Sequence, residues 1–481
     1  MDQKTKIVAT IGPSSDSSEI LLQLIKSGMN VARLNFSHGD HKSHAKLIKN
    51  IRAAAFKAKE SVAILQDLQG PRIRVAKIID TGLELENREK VILASSAALR
   101  QINLHTLPHR VIPVDYPHFA ESVHLRSNVL ISDGLIQLAV EKIEDRLVYA
   151  KVIKGGIIFS HKGINVPGLK LKTAVITEKD KKDLIFGLKQ GVDFVALSFV
   201  AEAKDILDLK KLINKHKPKH PVQVVAKIER LEAFQKRHEI IKVTDAIMVA
   251  RGDLGIEVPQ AKVPLMQKEL IMDCLSAAKP VIVATQMLDS MIQNPKPTRA
   301  EVSDVANAVI DGADAVMLSG ETAFGKYPLE TVQVMQDIII ATEKSPFQKN
   351  ISSHADKQES DIRAVADSVF HLASNTKAKL IVAFTHSGFT AKVISRYRAE
   401  IPVVAMVVEE HIGRSLDLVW GVKSYVVKEC DNLDELLESS EKLLLKDKKV
   451  KAGDKIVFVS GQLFGKAQHL NIIQLHTVSA S

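Results

Sequence analysis

Six apolar runs in this 481-residue chain end on groups that can carry charge, bind metal or move a proton. RLNFS presents Arg33, Asn35 and Ser37, and LQD presents Asp67. AKIE presents Lys227 and Glu229, and VARGD presents Arg251, Gly252 and Asp253. ATQ presents Thr285, and LSGE presents Ser319, Gly320 and Glu321. Glu229 and Asp253 are hard oxygen donors. They suit Mg2+, which keeps few protein ligands and leaves positions for substrate and water. Arg33, Arg74 and Lys227 offer fixed positive charge, which phosphoryl transfer requires because its transition state spreads negative charge over three oxygens. Gly252 and Asp253 are expected where a loop enters a helix, with backbone N–H groups that can bind a carboxylate. Thr285 adds a hydroxyl that can sit in a proton path. Arg-Gly-Asp also has a second reading, as an adhesion tripeptide on a secreted protein.

The elements that position these groups are legible as a repeat. Eight short β-branched runs lack polar alternation, as parallel strands buried on both faces do. They are KIVATIG from Lys6, VARLNFS from Val31, SVAILQDL from Ser61, VDFVALSF from Val192, VQVVAKIE from Val222, DAIMVARGD from Asp245, PVIVATQM from Pro280 and DAVMLSGE from Asp314. Helical patterns separate them. Asp16–Lys26 carries Ile20, Leu21, Leu24 and Ile25 on one face. Thr298 and Glu301 read as a capping box. Gly28-Met-Asn30, Gly191-Val-Asp193 and Gly312-Ala-Asp314 each pass from a helix end to a strand, the glycine taking the left-handed residue. Eight such units predict a (β/α)8 barrel, in which function gathers at the C-terminal strand ends. The charged ends above all fall there.

The repeat is interrupted between the third and fourth runs. There, 71–165 holds short alternating runs, VILASS, NVLISDGLIQLAVE and RLVYAKVI, and reads as a small inserted β domain. After Ser345 a third block alternates helix and strand, Asp361–Ala373, AKLIVAFT, Phe389–Arg398, IPVVAMVV, SYVVKE, DKIVFVSG and NIIQLHTV, and predicts an open α/β sheet. The expected division is therefore a barrel from 1–70 and 166–344, an insert at 71–165 and a C-terminal domain at 345–481.

Composition is that of a globular protein, 46% hydrophobic and 25% charged. The net charge is +10, but the lysines are scattered and aromatics make up only 4%. Nucleic-acid binding, which needs a basic stripe with stacking platforms, is not expected. No run approaches the roughly 18 apolar residues of a membrane span. Two distant cysteines, Cys274 and Cys430, and an N-terminal MDQKTKIVATIG without a signal-peptide core predict a reducing cytoplasm. That prediction weighs against the adhesion reading. No Cys/His cluster suggests zinc.

The blocks TKIVATIGPSS, ARLNFSHG, LQDLQGPRIR, AKIER, IMVARGDLGIEVP, ATQMLDSM, PTRAEVSDVANAV and MLSGET, in order and spaced along nearly the whole chain, resemble the pyruvate kinase family. ISDGLI, HKGINVPG and the turn at Thr385–Thr390 extend the resemblance into the other two blocks. It implies a barrel with a small β-barrel lid and a C-terminal regulatory domain, assembled as a tetramer. It also implies transfer of phosphate from phosphoenolpyruvate to ADP with Mg2+, for which Mn2+ can substitute. In that family Lys227 matches the lysine that stabilises the transferring group, and Arg33 a contact to the substrate phosphate. Glu229 and Asp253 match the Mg2+ ligands. Gly252, Asp253 and Thr285 match groups that hold the substrate carboxylate, and Thr285 and Ser319 lie near the protonated face of the enolate. Asn35, His38, Arg74 and Lys162 match nucleotide contacts. Asn35, Ser37, Asp67 and the following carbonyl match a K+ site. Members that need K+ carry Glu two residues after the glycine of the GP motif, where this chain has Arg72; a basic residue there marks a branch that works without K+, and Leu68 in place of Thr points the same way. Thr385, Ser387, Gly388 and Thr390 match a turn that binds a phosphorylated effector. The loop GQLFGKAQH departs from versions associated with a sugar bisphosphate, so a monophosphate is expected. Enolate-forming aldolases share the barrel and the metal carboxylates, but they lack a lid and the RLNFSHG and GPRIR blocks.

Overall fold

Strands covered on both faces need apolar side chains at nearly every position, and the eight runs supply them. The computed structural model describes residues 3–101, 107–132, 134–169, 172–347, 361–430, 432–461 and 470–479. In it the runs form Lys6–Thr10, Met29–Asn35, Ala63–Asp67, Phe194–Leu197, Gln223–Ile228, Ala246–Ala250, Val281–Ala284 and Ala315–Leu318. All pair in parallel, in chain order, and Lys6 meets Ala315 to close the barrel. Val8, Leu65, Phe194, Val225, Met248 and Ile282 fill the interior, and a larger apolar layer lies between strands and helices.

Polar residues at the strand starts set the register. Asn30 Oδ1 accepts the Ile7 N–H at 2.9 Å and Asp193 Oδ2 that of Ile64 at 2.8 Å. Asp245 Oδ2 accepts from Val224 at 2.8 Å and Asp314 Oδ2 from Val281 at 3.1 Å. Each satisfies a donor at the barrel floor that otherwise has no ladder partner. The preceding Gly28, Gly191 and Gly312 sit at φ 103°, 73° and 94°, the left-handed turn expected of them. The capping box forms, with Thr298 and Glu301 exchanging bonds at the start of Arg299–Ile310. The first helix is Ser18–Lys26, capped by Ser17, with Leu21, Leu24 and Ile25 buried.

The inserted segment forms a seven-stranded sheet running from Ile73–Arg74 to Arg110–Val114. Its pairs are antiparallel apart from Lys90–Ser95 with Arg110–Val114. A bridge between Val75 and Val114 joins the two ends into a small barrel with its own core.

The C-terminal block is a five-stranded sheet in the order Val422–Val426, Val403–Val407, Leu380–Phe384, Lys455–Gly461, Leu470–Thr477, with only the last strand antiparallel. Three expectations shift here. The strand of SYVVKE begins earlier, at Val422, and ends at Val426. The helix from Phe389 stops at Ser395, and Arg398 turns left-handed at φ 48°. Helices Glu410–Ser415 and Leu433–Lys446 were not foreseen. Most of GQLFGKAQH, residues 462–469, lies outside the described residues, as does Asp133 of ISDGLI. This domain docks on the barrel floor. Arg398 meets Asp314 at 2.9 Å and Arg414 meets Asp193 at 2.7 Å, so two of the register-setting acids also anchor it.

Candidate active site

At the opposite mouth, the ends of the second to fifth strands converge on one buried ammonium. Lys227 Nζ lies 2.8 Å from Glu229 Oε1 and 3.3 Å from Asp67 Oδ1, and it donates to Ser198 Oγ at 2.7 Å. Arg33 grips the other oxygen of Asp67, with Nε at 2.8 Å and Nη2 at 2.7 Å, and its Nη1 reaches Thr10 Oγ1 at 2.8 Å. Both lysine and carboxylates are nearly inaccessible. Burial opposes the Lys227 charge, but Asp67 and Glu229 outweigh it and hold the ammonium pKa above its usual value. Burial also works against the Asp67 charge, yet Lys227 and Arg33 keep that carboxyl below its usual value. Glu229 goes the other way. Burial, reinforced by the neighbouring Asp253 carboxylate, raises it despite Lys227.

Ser198 and Thr10 were not among the candidate residues. The rule that found the others applies to both, since they end the fourth and first strands. Ser198 Oγ also donates to the Leu68 carbonyl at 2.7 Å, the main-chain oxygen expected at a K+ position.

The site's donor chemistry fits Mg2+. Glu229 Oε2 accepts the Phe199 N–H at 2.7 Å, but Oε1, although charge-paired with Lys227, accepts no well-directed hydrogen bond in its buried position. Asp253 stands close enough to disfavour the Glu229 charge. A buried carboxylate oxygen with an ion pair but no well-directed hydrogen bond, beside a second carboxylate, leaves negative charge that a hard cation can neutralise. Among the described residues no group of three or more His, Cys, Asp or Glu side chains is placed to hold a metal ion, so the fit rests on this carboxylate pair alone.

The sixth strand runs straight into helix Arg251–Glu257. The Arg251 side chain is only 11% exposed and pairs with Asp304 at 2.8 Å. A tripeptide held in this way at a strand end is no exposed loop tip, so the adhesion reading fails. The Gly252 N–H, expected to be open for a ligand, donates to Thr285 Oγ1 at 2.8 Å. The reason is the usual one at a helix start, where unpaired amides take the nearest acceptor. Thr285 and Gln286 are themselves unusual, with φ 72° and 55°. Such left-handed non-glycine residues cost on the order of 1–3 kcal/mol each and persist where surrounding contacts enforce them. Ser319, at the eighth strand end, donates its N–H to Glu321 Oε2 at 2.6 Å, and Glu321 Oε1 accepts from Leu288 at 3.3 Å, tying the last two loops together.

Two openings lead to this mouth. A cleft of about 1220 Å3 runs from Leu130 and Gln137 on the lid to Gly252, Asp253 and Gln286 on the barrel, with Arg72 at its edge. A pocket of about 250 Å3 brings together His38, Arg74 and Lys162, three of the four expected nucleotide contacts, with Arg72 and Asp253. Asn35 is not on its wall; its Oδ1 accepts the Ser37 N–H at 3.1 Å. Burial and the cations Arg72, Arg74, Arg33 and Lys179 hold the His38 pKa below its usual value. The turn Thr385–Thr390 belongs to the C-terminal domain and is not part of this cleft. There Gly388 takes φ 81° before the helix, Thr385 and Thr390 are buried, and Ser387 is exposed.

Comparison with known proteins gives a consistent picture. The family profile described as pyruvate kinase, barrel domain, matches residues 2–332, and that described as pyruvate kinase, alpha/beta domain, matches 363–476. A pyruvate kinase of Geobacillus stearothermophilus is 43% identical over 483 residues, covering 100% of this chain and 81% of the relative. One of Bacillus licheniformis is 44% identical over 480 residues, covering 99% of this chain and 80% of the relative. The crystal structure of a pyruvate kinase from Cryptosporidium parvum superposes with a TM-score of 0.91 at 36% identity, covering 99% of this chain and 96% of that one.

Proposed function

The chain belongs to the pyruvate kinase family and is a phosphotransferase, and we propose that it moves the phosphoryl group of phosphoenolpyruvate to ADP, giving pyruvate and ATP as the last step of glycolysis. The observation that carries this reading is the buried Lys227 ammonium held between Asp67, Glu229 and Ser198 at the barrel mouth. The phosphorus–oxygen bond to the enol breaks as the bond to the ADP β-phosphate forms, and the enolate left behind takes a proton at its methylene carbon. Lys227 and Arg33 face the phosphoryl oxygens, where they offset the charge that develops. Asp67 fixes both cations in place, so neither has to reorganise during transfer. Glu229 and Asp253 hold Mg2+ or Mn2+, which when bound supplies positive charge to the phosphoryl and carboxylate oxygens. The Gly252 and Asp253 amides hold the substrate carboxylate, with the Gly252 N–H exchanging its bond to Thr285 for one to substrate. Thr285 and Ser319 flank the carbon to be protonated. Asn35, His38, Arg74 and Lys162 take the nucleotide, the last from the lid. ATP formation from phosphoenolpyruvate and ADP in a coupled assay, present with Mg2+ and absent without any divalent ion, tests this; no ATP under either condition would sink it.

Turnover is proposed to need no K+. Asp67 Oδ2 is held by Arg33 and its Oδ1 lies 3.3 Å from Lys227, though without a well-directed hydrogen bond; the Leu68 carbonyl accepts from Ser198, and Arg72 leans over the Phe199 ring at 5.9 Å on the rim of the cleft. A guanidinium is a permanent monovalent cation, and it both replaces and repels K+. Turnover with tetramethylammonium as the only monovalent cation is expected to be substantial, and Arg72→Glu to lower it and make it respond to K+. A wild-type protein inert until K+ is added would refute the role of Arg72 while leaving the kinase reading intact.

The C-terminal turn of Thr385, Ser387, Gly388 and Thr390 is proposed to bind a phosphorylated effector, a monophosphate. The helix behind it reaches the barrel, where Lys392 Nζ donates to Gln223 Oε1 at 3.2 Å, at the start of the strand that carries Lys227. Burial lowers the pKa of Lys392 to about 8. Titrating sugar monophosphates and AMP into the assay is expected to give activation that Thr390→Glu abolishes; no response to any of them would remove the proposal. A homotetramer in the cytoplasm, and the division into 1–70 with 166–344, 71–165 and 345–481, complete the proposal. Among the described residues no helix is long and apolar enough to cross a membrane.

A further inference from the structure

A β-branched residue at φ 72° followed by another left-handed residue at 55° does not persist without support. No glycine marks this bend; besides the bonds of the Thr285 hydroxyl to the Gly252 amide and the Ala284 carbonyl, one side chain holds both of its carbonyls. Arg251 Nη2 donates to the Thr285 carbonyl at 2.6 Å and to that of Gln286 at 3.3 Å, and Nε reaches the Thr285 carbonyl at 3.3 Å. Its far nitrogen, Nη1, is anchored on Asp304 at 2.8 Å and approaches Gln267 at 3.4 Å. Two successive carbonyls turned toward one guanidinium require the two peptide planes to rotate as they do. The same rotation presents Thr285 Oγ1 to the Gly252 amide, the residue next to Arg251. Every nitrogen of this guanidinium is engaged within the protein, so it is not a free cation waiting for substrate.

We propose that Arg251 is a positioning residue for the phosphotransfer reaction, clamping Thr285–Gln286 in the left-handed conformation so that the Thr285 hydroxyl is held at the reacting carbon. This rests on the kinase reading and on Thr285 lying at the enolate. Lysine cannot serve, because a point charge does not bridge two carbonyls and a carboxylate in a plane. Glycine at 286 adopts positive φ without penalty, so it relieves the need for the clamp.

The test reads turnover together with exchange of the pyruvate methyl hydrogens into deuterated water, followed by proton NMR. Arg251→Lys is expected to lower both by tenfold or more and to change the KM for ADP by less than twofold, since Arg251 does not line the nucleotide pocket. Adding Gln286→Gly to that variant is expected to restore at least half of the lost methyl exchange. Arg251→Lys with wild-type exchange would overturn the proposal, as would a loss that Gln286→Gly does not repair in a protein that melts like wild type. Should Arg251→Lys fail to fold, Asp304→Asn loosens the clamp from its outer side and is expected to reduce exchange in the same way; unchanged exchange there would also overturn it. A wild-type protein that makes no ATP would instead sink the kinase reading, and with it the reaction that Arg251 is said to serve.

Discussion

Lys227→Met is expected to lower kcat by at least a thousandfold while the protein folds normally and keeps most of its affinity for phosphoenolpyruvate. The loss corresponds to roughly 4 kcal/mol or more of transition-state stabilisation. It falls on kcat because the ammonium meets charge that grows during transfer, not charge already present in the bound substrate. Met preserves the packing of the lysine stem. The carboxylates left behind retain other partners, Arg33 for Asp67 and the Phe199 amide for Glu229. Coupled-assay kinetics with a thermal melt check both halves. Near-normal turnover would remove Lys227 from the chemistry.

Glu229→Gln should raise the Mg2+ concentration needed for half-maximal activity by tenfold or more, and Asp253→Asn should do the same. The amide keeps the shape of Glu229 and its contact to the Phe199 N–H, but it gives up the negative charge that attracts a divalent ion. Mn2+ binding followed by electron paramagnetic resonance separates this from a loss of catalysis, because it reads the metal without turnover. If both variants bind Mn2+ as wild type does, the carboxylates are not its ligands.

The barrel was legible because its strands advertise themselves. A fully buried parallel strand cannot alternate polar and apolar residues, and glycine before Asn30, Asp193 and Asp314 marks where each begins. The lid was legible only as β-rich. Ile73–Arg74 and Gly163–Asn165 are too short to display any period, so their place in the sheet is decided by partners far away in the chain. Helix Leu433–Lys446 did carry a signal, with Leu436, Leu437, Ser440 and Leu444 on one buried face, and it passed unread between two strands. In the site, residue types disclosed the charged groups, because strand ends point into a barrel mouth. They did not disclose that the Gly252 amide is spent on Thr285, nor the left-handed bend at Thr285–Gln286, which no glycine announces. Those follow from contacts across loops that only the assembled barrel brings together.

Closure of the barrel between Lys6–Ala9 and Ala315–Leu318 also sets an order in time. The first strand leaves the ribosome first, but its outer edge has no partner until the eighth has been made. Meanwhile the third strand waits for the whole lid to be synthesised before Phe194–Leu197 arrives beside it. A nascent chain carrying only the first three strands exposes two unpaired apolar edges, the kind of surface on which other chains stack. The lid, whose pairs lie within its own segment, can complete itself during that interval. During synthesis the exposed part of this barrel is therefore its earlier-made strands, and the inserted domain has the contacts to be complete before the barrel that carries it.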